Sequence, residues 1–220
     1  MGAKAPYKKE KAMETTNKEE LAIVKRLSDS KYNFLDEDGK LLFDKWFDWV
    51  RSFQDGFVRV ARDGKYNYIG EDGKLLSEKW FDWAGDFKDG FAEVRREDKL
   101  RNLINKDGKI LSEQWFDWIS GFYDGFSVVG RGNHEYNYID KDGKILSEQW
   151  FKWLDYFHNG FARVQRFDDL MNFIDTDGKI ISAEWFKNVD YFDEYGFAVV
   201  QRSNGEQAKI DKNGKIVVIK

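Results

Sequence analysis

The glycine of a D-G-K turn recurs at Gly39, Gly73, Gly108, Gly143 and Gly178, and again in K-N-G-K at Gly214, a period of about 35 residues. A Trp-Phe pair follows the same period at Trp46-Phe47, Trp80-Phe81, Trp115-Phe116, Trp150-Phe151 and Trp185-Phe186. So does a Gly-Phe pair that begins at Gly56, Gly90, Gly125, Gly160 and Gly196. A chain with such self-similarity builds a repeat architecture: each unit is too small to bury its own apolar face and shares a core with its neighbours.

Every copy carries the same punctuation. A short apolar run (KYNFLD, KYNYIG, LRNLIN, EYNYID, MNFID) leads into D-G-K and then a second run such as KLLS or KILS. Asp-Gly between two apolar runs is a strong hairpin signal, because glycine accepts the positive φ that the turn needs. A further run (FVRVAR, FAEVRR, FSVVGR, FARVQR, FAVVQR) opens at the Gly-Phe pair and passes through a variable turn into the next Y-N segment. The unit therefore reads as an antiparallel meander of at least three strands. The stretch SEKWFDWAGDF fits two periods. Trp80, Trp83, Ala84 and Phe87 share one face of a helix, while Phe81 and Trp83 would alternate on a strand. A short helical turn or irregular segment is the preferred reading.

Positions that hold through all copies predict the core: Leu35, Ile69, Ile104, Ile139 and Ile174, the valines Val60, Val94, Val129, Val164 and Val200, and the first Trp with its Phe neighbour. Asn33, Asn67, Asn102, Asn137 and Asn172 also hold one place. Asparagine tolerates a left-handed backbone, so a bulge or kink is expected there.

At the N-terminus, residues 1–15 are polar and lysine-rich and read as disordered or tag-like. Residues 16–30 read as a capping helix: Thr16 and Glu19 form a capping-box pattern, and Leu21, Ile23, Val24 and Leu27 give an apolar stripe. Residues 31–220 form the array. The C-terminal QAKIDKNGKIVVIK duplicates the first hairpin rather than completing a missing half. The fold class expected is thus all-β: an open, solenoid-like array of about five repeats of about 35 residues, with a final hairpin and an N-terminal capping helix.

These residues resemble the WG-repeat family of bacteria, a β-rich repeat. The likeness spans Lys31 to Lys220 and rests on Tyr66-Asn67-Tyr68-Ile69, Asp72-Gly73-Lys74, Phe81, Ala84, Phe87, Asp89-Gly90 and Ala92. Tyr-Asn stands where the family has Trp-Gly, and S-E-K/Q-W replaces its usual proline. The resemblance implies a β-hairpin repeat used in protein interaction, with no catalytic residue to carry over.

The residues themselves point to no chemistry. His134 and His158 stand alone, there is no cysteine, and the D-x-D-G stretches are turns lacking the alternating ligands of a calcium loop. No phosphate-binding loop, nucleophile elbow or dinucleotide fingerprint occurs. Neither a metal nor a cofactor is expected, and the chain reads as a non-enzyme. A net charge of −4 with interspersed signs argues against a nucleic-acid partner and a polybasic membrane anchor. No signal peptide is visible, which favours the cytoplasm, and a monomer is expected.

The positions that vary between copies mark the candidate binding surface. The second Trp is present as Trp49, Trp83, Trp118 and Trp153, but is Asn188 in the last copy. The residue before it runs Asp48, Asp82, Asp117, Lys152 and Lys187. The third turn carries Leu100, His134, Phe167 and Leu170 at or near its tips. The function expected is protein recognition through this surface. The alternative is carbohydrate binding by an outward stripe of Tyr32/Phe34, Tyr66/Tyr68 and Tyr136/Tyr138, which Arg101/Leu103 and Met171/Phe173 interrupt.

Overall fold

The structure, a computed structural model, describes residues 7–9, 21–132 and 134–218. The chain divides into two compact units, residues 1–113 and 114–220. The first contains three antiparallel sheets: Tyr7–Lys9 (β1), Ala22–Arg26 (β2) and Tyr32–Leu35 (β3); Trp49–Gln54 (β4), Phe57–Arg62 (β5) and Lys65–Gly70 (β6); Trp83–Ala84 (β7), Phe91–Arg95 (β8) and Arg101–Asn105 (β9). The second contains three more: Trp118–Ile119 (β10), Phe126–Arg131 (β11) and Glu135–Asp140 (β12); Trp153–Leu154 (β13), Phe161–Gln165 (β14) and Met171–Asp175 (β15); and a four-stranded sheet of Asn188–Val189 (β16), Phe197–Gln201 (β17), Gln207–Asp211 (β18) and Ile216–Val218 (β19). Among the described residues no sheet is closed and there is no helix.

The middle strand of each sheet follows the F-A-x-V alternation, its even positions buried in β8, β14 and β17. The valine of that strand is fully buried in every copy and in four of them faces a buried asparagine across the ladder, Val60↔Asn67, Val94↔Asn102, Val129↔Asn137 and Val164↔Asn172; in the last, Val200 faces the buried Ala208. The isoleucines two positions after the asparagines are buried, as the internal comparison predicts. The preceding turns Asp55-Gly56 and Asp89-Gly90 have consecutive positive φ values of 53° and 89° in both cases, the geometry of a type I′ turn.

Several expectations need correction. The N-terminal helix is not formed: residues 22–26 are strand β2, while residues 16–20 lie outside the described residues. The reason is visible in L-A-I-V-K-R, which matches F-A-x-V-x-R position for position; Val24 is buried and faces Asn33. The alternating apolar pattern is completed by a sheet, so β pairing overrides the capping-box signal. The short strand β1 lies within the stretch read as disordered, whose other residues lie outside the described ones.

The run after D-G-K is not a strand but a single bridge, such as Ile104↔Ile110; it lengthens into strand β19 in the last copy alone. The Trp-Phe stretch is not helical either. It is a series of bends, after which the second Trp opens a short strand and Phe81 bridges Tyr66. The phenylalanines Phe47, Phe81, Phe116, Phe151 and Phe186 are buried, whereas their Trp neighbours are half-buried. Those rings lie instead under guanidinium groups: Arg26 over Trp46 at 4.6 Å, Arg62 over Trp80 at 4.4 Å, Arg131 over Trp150 at 3.9 Å and Arg166 over Trp185 at 4.3 Å.

Nor are the repeated asparagines left-handed; none has a positive φ. Each is buried and clamps a loop. Asn137 Nδ2 donates to the carbonyls of Ser147 at 2.7 Å and Gln149 at 3.1 Å, and its Oδ1 accepts from the Tyr138 amide at 2.8 Å. Asn67 and Asn172 repeat all three bonds. The carbonyls they hold belong to the S-E-x-W bend, so the amide fixes a segment that has no proline to stiffen it.

Candidate functional site

The second Trp of each copy opens a two-residue strand, or the longer β4. Its neighbour points inward (Ala84 and Ile119 are buried), so the indole must point outward. Trp49, Trp83, Trp118 and Trp153 share one degree of exposure, between 37% and 39%. The side of the ring is covered in two ways. Trp49 meets Tyr66, and Trp118 meets Tyr136, in edge-to-face contacts at 6.4 and 6.3 Å. Arg59, Arg95 and Arg163 lie over Trp49, Trp83 and Trp153 at 5.4, 4.0 and 5.7 Å.

Two clefts result, one within each unit, and they are built from the same repeat positions. In the first unit Trp49, Arg59, Tyr66, Trp83 and Ala84 line a cleft of about 400 Å³. In the second, Trp118, Val128, Tyr136, Trp153 and Leu154 take those places, and Asp155 and Tyr156 extend a cleft of about 430 Å³. Both volumes lie within the range of small-ligand and side-chain pockets, roughly 300–1,000 Å³. The first is filled by charge: the Arg59 guanidinium lies 3.3 Å from Asp86 and also donates to the Ala84 carbonyl. The second has Val128 in place of that arginine.

Around the second cleft the surface is aromatic. Tyr123 and Tyr156, 64% and 47% exposed, lie 5.3 Å apart, and one copy later His158 and Tyr191 repeat the pairing at 6.2 Å. The Tyr191 hydroxyl donates to Asp155 Oδ2, and Arg163 Nη2 donates to the same oxygen at 2.8 Å while its guanidinium lies 3.7 Å from the Tyr191 ring centroid. Burial pushes the Asp155 carboxyl up, but the hydrogen bonds from Tyr191 and Arg163 outweigh it, so the group stays below its ordinary pKa. At the places of Tyr156 and Tyr123 the first cleft has Asp86 and Gln54, and Asp86 is paired with Arg51 and Arg59.

The other sequence candidates separate from this surface. The charged residue before the second Trp ties a third turn in place, its own in three copies and the preceding copy's for Asp82. Asp48 accepts from the Asp63 amide at 2.7 Å, Asp82 pairs with Lys65, Asp117 accepts from the Gly132 amide, and Lys152 pairs with Asp169. The reversal of sign at Lys152 is thus answered within the same hairpin. Leu100 and Leu170 are half-buried, and their amides donate to Asp98 and Asp168. His134 is exposed with a φ of 59°, and Phe167 is 54% exposed. The proposed tyrosine stripe does not face outward: Phe34, Tyr68 and Tyr138 are buried, and the Tyr68 hydroxyl donates to the Gly85 carbonyl at 2.6 Å. Sequence reasoning missed Tyr123, Tyr156, Tyr191, Arg59 and Arg163. Their signal was the variability of their positions between copies: the tyrosine positions are aromatic in later copies and polar, charged or small in earlier ones, and the arginine position reads Arg59, Glu93, Val128, Arg163 and Val199.

No curated protein sequence matches the chain. Among solved structures it is similar to the computationally designed Ika8 protein, with 15% identity over 91% of this chain and 71% of that one and a TM-score of 0.34. It is also similar to BamB from Moraxella catarrhalis (11% identity, 90% and 72% covered, TM-score 0.31) and to Kluyveromyces lactis Hsv2 (10% identity, 90% and 73% covered, TM-score 0.34). Scores of that size set no constraint on how the sheets are arranged. The WG containing repeat model matches residues 34–66, 68–99, 103–133 and 138–169, more than half of the sequence. With its Tyr-Asn variant of the motif, the chain belongs to the WG containing repeat family.

Proposed function

We propose that this chain is a non-enzymatic binding protein that recognises another protein through its repeat surface. The observation that carries the reading is the aromatic surface of residues 118–191, where Trp118, Trp153, Tyr123, Tyr156 and Tyr191 remain exposed on successive copies. Large aromatic side chains have few rotatable bonds, lose little conformational freedom on binding and are enriched among interface anchors. Each terminal sheet is completed by local pairing, by β1 in the first and by β19 in the last.

Affinity capture from lysate of the source cell tests the reading. The intact chain is compared with a Tyr123→Ser/Tyr156→Ser/Tyr191→Ser variant and with a chain whose third turns are scrambled. A protein retained by the intact and turn-scrambled chains and lost by the tyrosine variant supports recognition through this surface. Equal retention by all three contradicts it. A carbohydrate is the second reading, favoured by the same exposed rings, and a titration of Trp fluorescence with a panel of soluble glycans tests it.

A further inference from the structure

Three of the four second tryptophans carry one of the chain's own guanidinium groups, and the fourth does not. Arg59 and Arg163 come from the third position of the Gly-Phe strand and Arg95 from its fifth. In the copy of Trp118 those two positions are Val128 and Gly130. Gly130 sits directly opposite Trp118, and a side chain there would crowd the Tyr136 ring, 3.1 Å from where its Cβ would lie. Among the described residues, no cation of the chain lies over Trp118.

Part of the arginine's environment is kept, although the carboxylates that pair with Arg59 and Arg163, Asp86 and Asp155, have Tyr156 and Ser120 as their counterparts in the register of Trp118. Arg59 and Arg163 each donate to the carbonyl that follows the second-Trp position in the next copy, Ala84 and Val189; Leu154 holds that place beside Trp118. Arg163 lies against Tyr191; Tyr156 is its counterpart at the second cleft. Among the described residues, the one formal charge lining the second cleft is the carboxylate of Asp155, partly neutralised by Arg163. The Trp118 face has no cation of the chain over it, and a carboxylate shared with Arg163 lies nearby; such an aromatic face favours a cation over a neutral group.

Resting on protein recognition as the function, we infer that the cleft between Trp118 and Trp153 takes an arginine side chain of the partner, in the place that Arg59 and Arg163 fill in the other copies. The guanidinium lies over Trp118 and against Tyr156, as the chain's own do elsewhere. An arginine at position 128 would occupy the cleft from within.

The test follows the indole N–H signals of Trp118 and Trp153 by NMR while N-acetyl-argininamide is added to the full chain. The neutral N-acetyl-citrullinamide and methyl β-glucoside serve as controls. The expected result is saturable movement of both signals with the arginine probe and at least about tenfold weaker binding of the citrulline probe. Val128→Arg should abolish the response, and Tyr156→Ser, an exposed change that spares the core, should weaken it. Equal response to citrullinamide, response to the glucoside alone, or no response overturns the inference. If the arginine probe fails while the tyrosine variant still loses its protein partner, recognition stands and the cation falls. If the probe binds and no partner depends on the tyrosines, the reverse holds.

Discussion

The side-chain amide of Asn137 donates to the Ser147 carbonyl at 2.7 Å, from a residue with no exposed surface. Removing the amide strands two carbonyls and the Tyr138 amide in a buried site, each costing about 1–3 kcal/mol. Asn137→Ala is therefore expected to lose about 3–5 kcal/mol of stability, and Asn137→Asp, which keeps the acceptor and loses both donors, nearly as much. Urea denaturation checks this; a loss under about 1 kcal/mol for both would contradict the clamp.

Gly178 and Gly160 give a paired comparison, since their φ values are 84° and 85°. A Cβ on Gly178 would lie 2.1 Å from the Leu146 carbonyl oxygen of the preceding copy, whereas one on Gly160 meets nothing within 4 Å. Gly160→Ala should cost about 1–2 kcal/mol for its left-handed backbone alone. Gly178→Ala adds displacement of one copy's backbone from the next and should cost clearly more. Equal melting temperatures for the two variants would show that the copies do not pack through this turn.

These two positions show what the sequence discloses. Repetition identified the glycines, the buried valines and the isoleucines, because identity across copies and alternation along a strand both follow from a shared core. It also marked Asn137 as structural while misjudging how. Propensity suggested a left-handed backbone, and the actual role, a side-chain clamp on a loop ten residues away, depends on tertiary approach that no local pattern encodes. The N-terminal strand was concealed by the capping-box pattern at Thr16 and Glu19, although Ala22, Val24 and Arg26 match the other copies. The second tryptophans were legible as candidates. The second cleft was not: it differs from the first by Tyr156 in place of Asp86 and by an arginine replaced by Val128, residues far apart in sequence.

The Lys152–Asp169 pair is exposed on both sides. Lys152→Ala should therefore change stability by under about 1 kcal/mol. A loss of several kcal/mol in a thermal melt would mean that the third turn depends on this ion pair for its fold.

Asp155 is held below its ordinary pKa, so its contribution to stability is complete above the unfolded carboxylate value of about 4 and is lost as pH falls through the lower folded value. The stability difference between the native chain and Asp155→Asn should be constant near neutral pH and shrink only on strong acidification. A difference that changes between pH 6 and pH 8, taken as roughly neutral, would assign the linkage to another group.

The aromatic surface as a protein-binding site is tested most directly by photo-crosslinking in the source cell, with p-benzoylphenylalanine placed at position 123 and, as the comparison, at position 167. Both sites are exposed, Tyr123 by 64% and Phe167 by 54%, so accessibility does not distinguish them. The account predicts a discrete protein adduct at position 123 that Tyr156→Ser diminishes, and none at position 167. An adduct at position 167 alone, or no adduct at position 123, would contradict it.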